Sequence, residues 1–237
     1  MNVVITGASK GIGYELVKLF AKINTNKIVA IARSKDLLNN LKKECNSLNP
    51  DNKLYTLGFD IENPENVKNN LKNHISNYFD SVDILINNAG ILINKSFQDF
   101  SIEEINKIYN INFISHTVLI QDLILYLKKS NKAHVVNISS MGAFQGSVKF
   151  PGLSIYSSSK AALANLTECL AEEYKDDQIK FNCLALGAVD TEMLNKAFPG
   201  YKAPVNPKEM AEYIYNFALN GNQFFNGKII PVSISTP

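Results

Sequence analysis

Seven short runs rich in Val, Ile and Leu punctuate this chain: NVVIT, KIVAIA, KLYTLGF, VDILINNA, AHVVNISS, IKFNCLAL and KIIPVSI. Most are apolar on consecutive residues, so a strand built from them has no face fit for water. Strands buried on both faces belong to parallel sheets covered by helices on each side. The segments between them agree with that. Residues near 12–23, 35–47, 64–78, 101–129, 155–175 and 207–220 carry apolar residues at helical spacing, and Pro64 and Pro207 stand where a first helical turn tolerates proline. Alternating strand and helix predicts an α/β fold, a doubly wound parallel sheet of about seven strands with helices on both faces. In such a sheet, ligands bind outside the C-terminal ends of the strands.

Composition narrows the classes that remain. The 237 residues, 46% hydrophobic and 19% charged, suffice for one substantial core, and one domain over residues 1–237 is the economical reading. Lys and Arg outnumber Asp and Glu by only two, and no basic run exceeds a pair such as Lys42-Lys43 or Lys128-Lys129. No nucleic-acid partner is expected. The chain enters a strand pattern at once, without a charged leader, and offers no stretch of about 18 uninterrupted apolar residues. A soluble, cytoplasmic protein with no membrane partner is therefore expected. Cys45, Cys169 and Cys183 form an odd set without metal-ligand spacing. They read as reduced, packed thiols, with no metal site.

The first strand runs into TGASKGIG, which places Gly7, Gly11 and Gly13 where strand gives way to helix. A loop there turns backbone N–H groups and the positive end of a helix toward a pyrophosphate, although a plain strand-to-helix turn would use glycine too. Arg33 follows about 20 residues later, where an NAD site would offer an acidic group to the ribose 2′-hydroxyl. A guanidinium instead grips a 2′-phosphate in a forked contact, and Lys10 adds a second cation. The pattern favours NADP(H) over NAD(H), with Asp36 a rival acidic group close by.

Further along, SIYSSSKAAL puts Tyr156 one helical turn before Lys160. The spacing alone proves nothing, because Tyr14 and Lys18 repeat it in GYELVKLF, where the lysine is expected on a solvated face. Asp60 in GFDIEN, the NNAG segment at 87–90, Asn112 in NIN and the serines of NISS each have a local reading as a turn cap, loop bond or strand end.

Taken in order, these motifs resemble those of the short-chain dehydrogenase/reductase family, in its single-domain, Rossmann-type branch, from residue 1 to roughly residue 232. The resemblance implies a catalytic set of Asn112, Ser140, Tyr156 and Lys160. It also implies a cofactor held by Gly7, Ser9, Lys10, Gly11, Ile12, Gly13, Arg33, Ser34, Asp60, Ile61, Asn88, Ala89, Gly90, Gly187, Val189 and Thr191, together with Tyr156 and Lys160. The chemistry would interconvert a small-molecule carbonyl and alcohol, with reduction favoured and a 3-oxoacyl thioester one plausible substrate. Tyr156 would exchange the proton. A cation ~4 Å from its phenol at an effective dielectric of ~20 is worth about 4 kcal/mol, so Lys160 is expected to favour the phenolate. Asn112 would anchor a water leading protons to Lys160. A homodimer or homotetramer through the helices near 101–129 and 155–175 is expected, with Val118, Leu119, Leu163 and Leu166 either at that interface or inside the subunit.

Leu186 stands where many relatives have proline, which leaves the cofactor-side turn less rigid, with cofactor contact expected to survive. Two other departures bear on the substrate: the stretch from 140 to 156 is a few residues longer than in many relatives, and the tail PVSISTP lacks a glycine-rich ending. Residues 190–206 read as a substrate lid, with Pro199-Gly200 breaking regularity. The rival function is a catalytically idle dinucleotide-binding regulator or scaffold.

Overall fold

A computed structural model describes residues 1–234; the last three residues of the PVSISTP tail lie outside the described residues. Strands β1 (Asn2–Thr6), β2 (Lys27–Ala32), β3 (Lys53–Gly58), β4 (Ile84–Asn87), β5 (Ala133–Ser140), β6 (Ile179–Leu186) and β7 (Lys228–Val232) form one sheet in the order β3-β2-β1-β4-β5-β6-β7. Every neighbouring pair is parallel. All seven expected strands are present.

Residues of alternate parity feed two cores. Val3, Ile5, Ile28, Ala30, Ile84, Ile86, Val136 and Ile138 pack on one face, while Val4, Val29, Ile31, Leu85 and Val135 pack on the other. The first core is closed by α1 (Gly11–Ala21), α2 (Lys35–Leu48) and, across the chain, α9 (Pro207–Asn220). Leu71 and Ile75 from the segment of α3 (Pro64–Asn66) and α4 (Lys72–Ser76), and Leu119 and Leu123 from α6 (Ser115–Leu127), close the second. Burying each such side chain is worth about 1.5–3 kcal/mol, which is why the strands have no polar face.

Two expected helices are interrupted. A π-turn at Val67–Leu71 joins α3 to α4, and another at Asn110–Ile114 joins α5 (Ile102–Tyr109) to α6. The i to i+5 bonding of a π-turn inserts a residue without breaking the apolar spacing, so the pattern reads as one helix. Helix α7 (Ser154–Glu173) runs unbroken, and α8 (Glu192–Ala197) lies within the expected lid. A parallel bridge pairs Val189 with Val205 at the feet of that segment.

Of the four apolar residues left open between an interface and the interior, Leu119 and Leu163 are buried inside the subunit, whereas Val118 and Leu166 keep part of their surface. The expectation for the cysteines needs correction. Cys45 and Cys183 are buried free thiols, but Cys169 is exposed, because it falls on the outer side of α7. Leu186 is held by register on both sides, opposite Ser140 and Val232, with Gly187 N–H donating to Val232 O at 2.9 Å, so the ladder does the restraining a proline ring would do. Among the described residues, no helix is long and apolar enough to cross a membrane, and no cluster of three or more His, Cys, Asp or Glu could hold a metal.

Candidate active site

The sheet order reverses between β1 and β4, which leaves a crevice beyond their C-terminal ends. The glycine loop enters it from β1 and the 87–90 segment from β4. They are packed too closely for a side chain between them: a Cβ on Gly7 would lie 2.7 Å from Ala89 Cα, and Gly7 also adopts φ +68°, which favours glycine. Thr6 Oγ1 ties the two segments together by accepting from Asn88 N–H at 3.1 Å and Ala89 N–H at 3.0 Å. Asn88 Nδ2 returns bonds to Thr6 O at 3.0 Å and Gly7 O at 3.2 Å. The floor is thus shaped by backbone, as a pyrophosphate cradle requires.

The residues expected to form the catalytic set lie one strand further along. Ser140 ends β5 and accepts from Gly142 N–H at 3.3 Å. Tyr156 and Lys160 rise from one face of α7, and the phenol hydrogen-bonds with Ser140. Asn112, fully buried, lies in the π-turn and donates through Nδ2 to Ser159 Oγ at 3.0 Å. A Cβ on Gly90 would meet Asn112 Oδ1 at 3.2 Å and Lys160 Nζ at 3.3 Å, so the backbone at Gly90 borders both.

Electrostatics differ from the sequence expectation. Burial pushes the Tyr156 phenol above its ordinary value, and the Ser140 bond pulls the other way. The Lys160 ammonium donates to Ile138 O at 2.8 Å. Burial lowers Lys160 itself to about 8, with nearby Cys183 opposing. The neutral phenol, not the phenolate, is the favoured form in this arrangement. The Tyr14–Lys18 pair of the same spacing lies partly exposed on α1: Lys18 sits 5.2 Å from the Tyr14 ring centroid, with Glu15 at 3.3 Å and the exposed Glu44 at 3.5 Å.

The remaining expected positions lie around the same crevice, many of them with structural tasks. Ser34 caps α2 by accepting from Leu37 N–H at 3.3 Å, and Asp60 Oδ1 accepts from Glu62 N–H at 3.0 Å beside the buried Ile61. Arg33 is exposed at the end of β2. Ser9 and Ile12 are half-buried in the loop, while Gly13 is buried beneath it. Thr191 caps α8 and lies over Gly11, whose absent Cβ would be 3.3 Å from Thr191 Cγ2. Lys10 pairs with Glu192 at 2.5 Å, joining the glycine loop to the lid segment. Val189 is buried and Gly187 packs against Ser233.

Sequence reasoning missed Thr6, Ser115, His116 and Glu192. Thr6 had a signal, a hydroxyl directly before the first loop glycine. The others contact residues distant in sequence, and local spacing carries no trace of that.

A family model described as short chain dehydrogenase matches residues 1–202. The chain is 26% identical to 3-oxoacyl-[acyl-carrier-protein] reductase FabG of Chlamydia trachomatis, over 97% of this chain and 94% of that one. It is 36% identical to 11-beta-hydroxysteroid dehydrogenase-like 2 of Arabidopsis thaliana, over 83% of this chain and 61% of that protein. Among solved structures, ElxO with NADP bound superposes with TM-score 0.81 at 27% identity, covering 98% of this chain and 96% of that one. Levodione reductase, at 22% identity and TM-score 0.85 over 98% and 95%, shares the fold. The strand order, the glycine cradle and these matches agree: the chain belongs to the short-chain dehydrogenase/reductase family of oxidoreductases.

Proposed function

We propose that this protein is an NADP(H)-dependent carbonyl reductase acting on a ketone or a 3-oxoacyl thioester. The observation that carries the reading is the Tyr156 phenol, kept protonated by burial and hydrogen-bonded to Ser140, with the buried Lys160 one turn away.

The seat fits a dinucleotide, since Gly7 lets the loop close onto Ala89 and a side chain on Gly90 would intrude beside Asn112 and Lys160. Gly7, Ser9, Lys10, Gly11, Ile12 and Gly13 would hold the pyrophosphate end, Asp60 and Ile61 the adenine, and Asn88, Ala89, Gly90, Gly187, Val189 and Thr191 the nicotinamide half. Bound there, the nicotinamide supplies the hydride. Ser140 holds the substrate oxygen beside the phenol and stabilises the charge that develops on it. Tyr156 gives that oxygen its proton, and burial has left it in the protonated form that reduction needs. Lys160 places a cation next to the phenolate that remains. Asn112 keeps the Ile91 backbone and Ser159 fixed behind them.

Arg33 and Lys10 support the 2′-phosphate, as does the NADP carried by ElxO. The thioester draws support from the Chlamydia relative, and a bulkier ketone from the Arabidopsis one. Residues 190–206 serve as the lid, with Met193 and Tyr201 offering exposed apolar surface. A cytoplasmic homodimer or homotetramer would cover Ile114 and Leu125, which are exposed on the π-turn and α6.

The test is cofactor oxidation by purified protein with NADPH and with NADH, over a panel of ketones and 3-oxoacyl thioesters. Turnover faster with NADPH supports the reading; NADPH binding without turnover of any substrate favours the idle regulator.

A further inference from the structure

Beside the catalytic asparagine, the chain makes two bonds that the reaction does not use. The hydroxyl of Ser115, first residue of α6, donates to Ile61 O. The next residue, His116, places Nε2 2.8 Å from Ala89 O. Both side chains are buried, with 1% and 0% exposure. Ile61 follows β3 and Ala89 follows β4, so adjacent residues of one helix reach the two backbone segments assigned above to opposite halves of a dinucleotide.

The chemistry of each bond is determined by its acceptor. A carbonyl only accepts, so His116 carries its proton on Nε2, and Nδ1 is left as a buried acceptor with no partner among the described residues. Burial, then the Lys160 charge, lowers His116 to about 3, so the ring is neutral throughout the working range of pH. An orphaned acceptor is a cost to the fold. The compensating gain is control of one peptide plane. Because a trans peptide is planar, fixing Ala89 O fixes the Gly90 N–H on the opposite side, and the site of a Gly90 Cβ is 3.3 Å from Lys160 Nζ. At the other segment, Ser115 holds the Ile61 carbonyl while Asp60 Oδ1 holds the Glu62 N–H of the same peptide.

We infer that Ser115 and His116 are positioning residues, Ser115 for the adenine end of the cofactor seat and His116 for the nicotinamide end, and that they lock both to the Asn112 turn. The inference rests on the dinucleotide reading above.

The experiment uses the full chain and three readouts: amide hydrogen exchange, binding of nicotinamide-free 2′-phospho-ADP-ribose, and NADPH turnover. His116→Leu should speed exchange at Gly90 and lower kcat by about tenfold or more, while 2′-phospho-ADP-ribose binds within about twofold of wild type. His116→Gln, whose amide N–H reaches the place of Nε2, should restore most of kcat, and the shorter His116→Asn should not. Ser115→Ala should show the opposite split, with faster exchange at Glu62 and 2′-phospho-ADP-ribose binding weakened about fivefold. Unchanged exchange at Gly90 in His116→Leu overturns the inference. So does equal failure of the Gln and Asn variants accompanied by loss of binding, since that marks a role in folding only. If the wild type binds 2′-phospho-ADP-ribose but reduces nothing, the carbonyl-reductase reading falls, and the exchange and binding readouts still decide positioning.

Discussion

Asn112 and Ile91 exchange two hydrogen bonds: Ile91 N–H donates to Asn112 Oδ1 at 2.8 Å, and Asn112 Nδ2 donates to Ile91 O at 3.0 Å. One amide side chain thereby satisfies both backbone groups of a residue just past the 87–90 segment. Asn112→Ala would leave a donor and an acceptor there without partners. The expected loss is about 2–4 kcal/mol of unfolding free energy, read from urea midpoints at constant slope.

Lys160 sets an upper limit on pH. With burial lowering it to about 8, turnover should decline above that pH as the ammonium loses its proton. Lys160→Arg retains a charge that does not titrate in this range, so any residual activity should lack that limb. Tyr156→Phe removes the proton donor and should reduce kcat by about 10²–10⁴ with little change in thermal midpoint.

The proposed NADP preference is tested at Arg33. Arg33→Asp replaces a cation at the end of β2 by a charge that repels a 2′-phosphate. The ratio of kcat/KM for NADPH over NADH should fall by about tenfold or more. An unchanged ratio would remove the basis for the NADP assignment.

The buried histidines make the fold sensitive to acid. His116 is lowered to about 3 and His134 to about 4, in both cases first by burial, from an ordinary value of 6.5. Between those values the unfolded chain binds protons that the folded one does not, so stability falls as pH drops below about 6.5. The slope is at most about 1.4 kcal/mol per pH unit for each ring. His134 is satisfied on both sides, by Ala218 O at 3.0 Å and Asn182 Nδ2 at 3.0 Å. Denaturant titrations from pH 7 to pH 5 should show the decline, and His116→Gln should halve its slope.

Glu192 competes for Lys10. The pair is half exposed, so solvent and salt screen it. Glu192→Gln should free Lys10 for the cofactor's phosphates and tighten NADPH binding by up to about fivefold, read by equilibrium titration at low salt.

The sheet was legible because its signal is local and repeated: Val3, Val4 and Ile5 are all apolar because both faces of β1 are covered. The glycine loop was legible through residue type at a strand-to-helix junction, and the Tyr156–Lys160 pair only through its place in an ordered series of motifs, since Tyr14 and Lys18 share its spacing. The π-turn was not, since the apolar pattern of residues 101–129 runs through it without a break. Ser115 and His116 were silent because their partners, Ile61 and Ala89, lie 54 and 27 residues away. The Ile138 carbonyl that accepts from the Lys160 ammonium was silent as well, because only the tertiary fold brings residues 22 apart into contact.

The bridge between Val189 and Val205 gives the intervening segment the form of a handle fastened at both feet. Closing a longer loop costs little more than closing a shorter one. Insertions or exchanges at 198–204, beyond Thr191, Glu192 and Ala197, which touch Gly11, Lys10 and Asn94, should therefore leave β6 and the glycine loop undisturbed, so the outer arc of the handle is where new substrate contacts would be grafted.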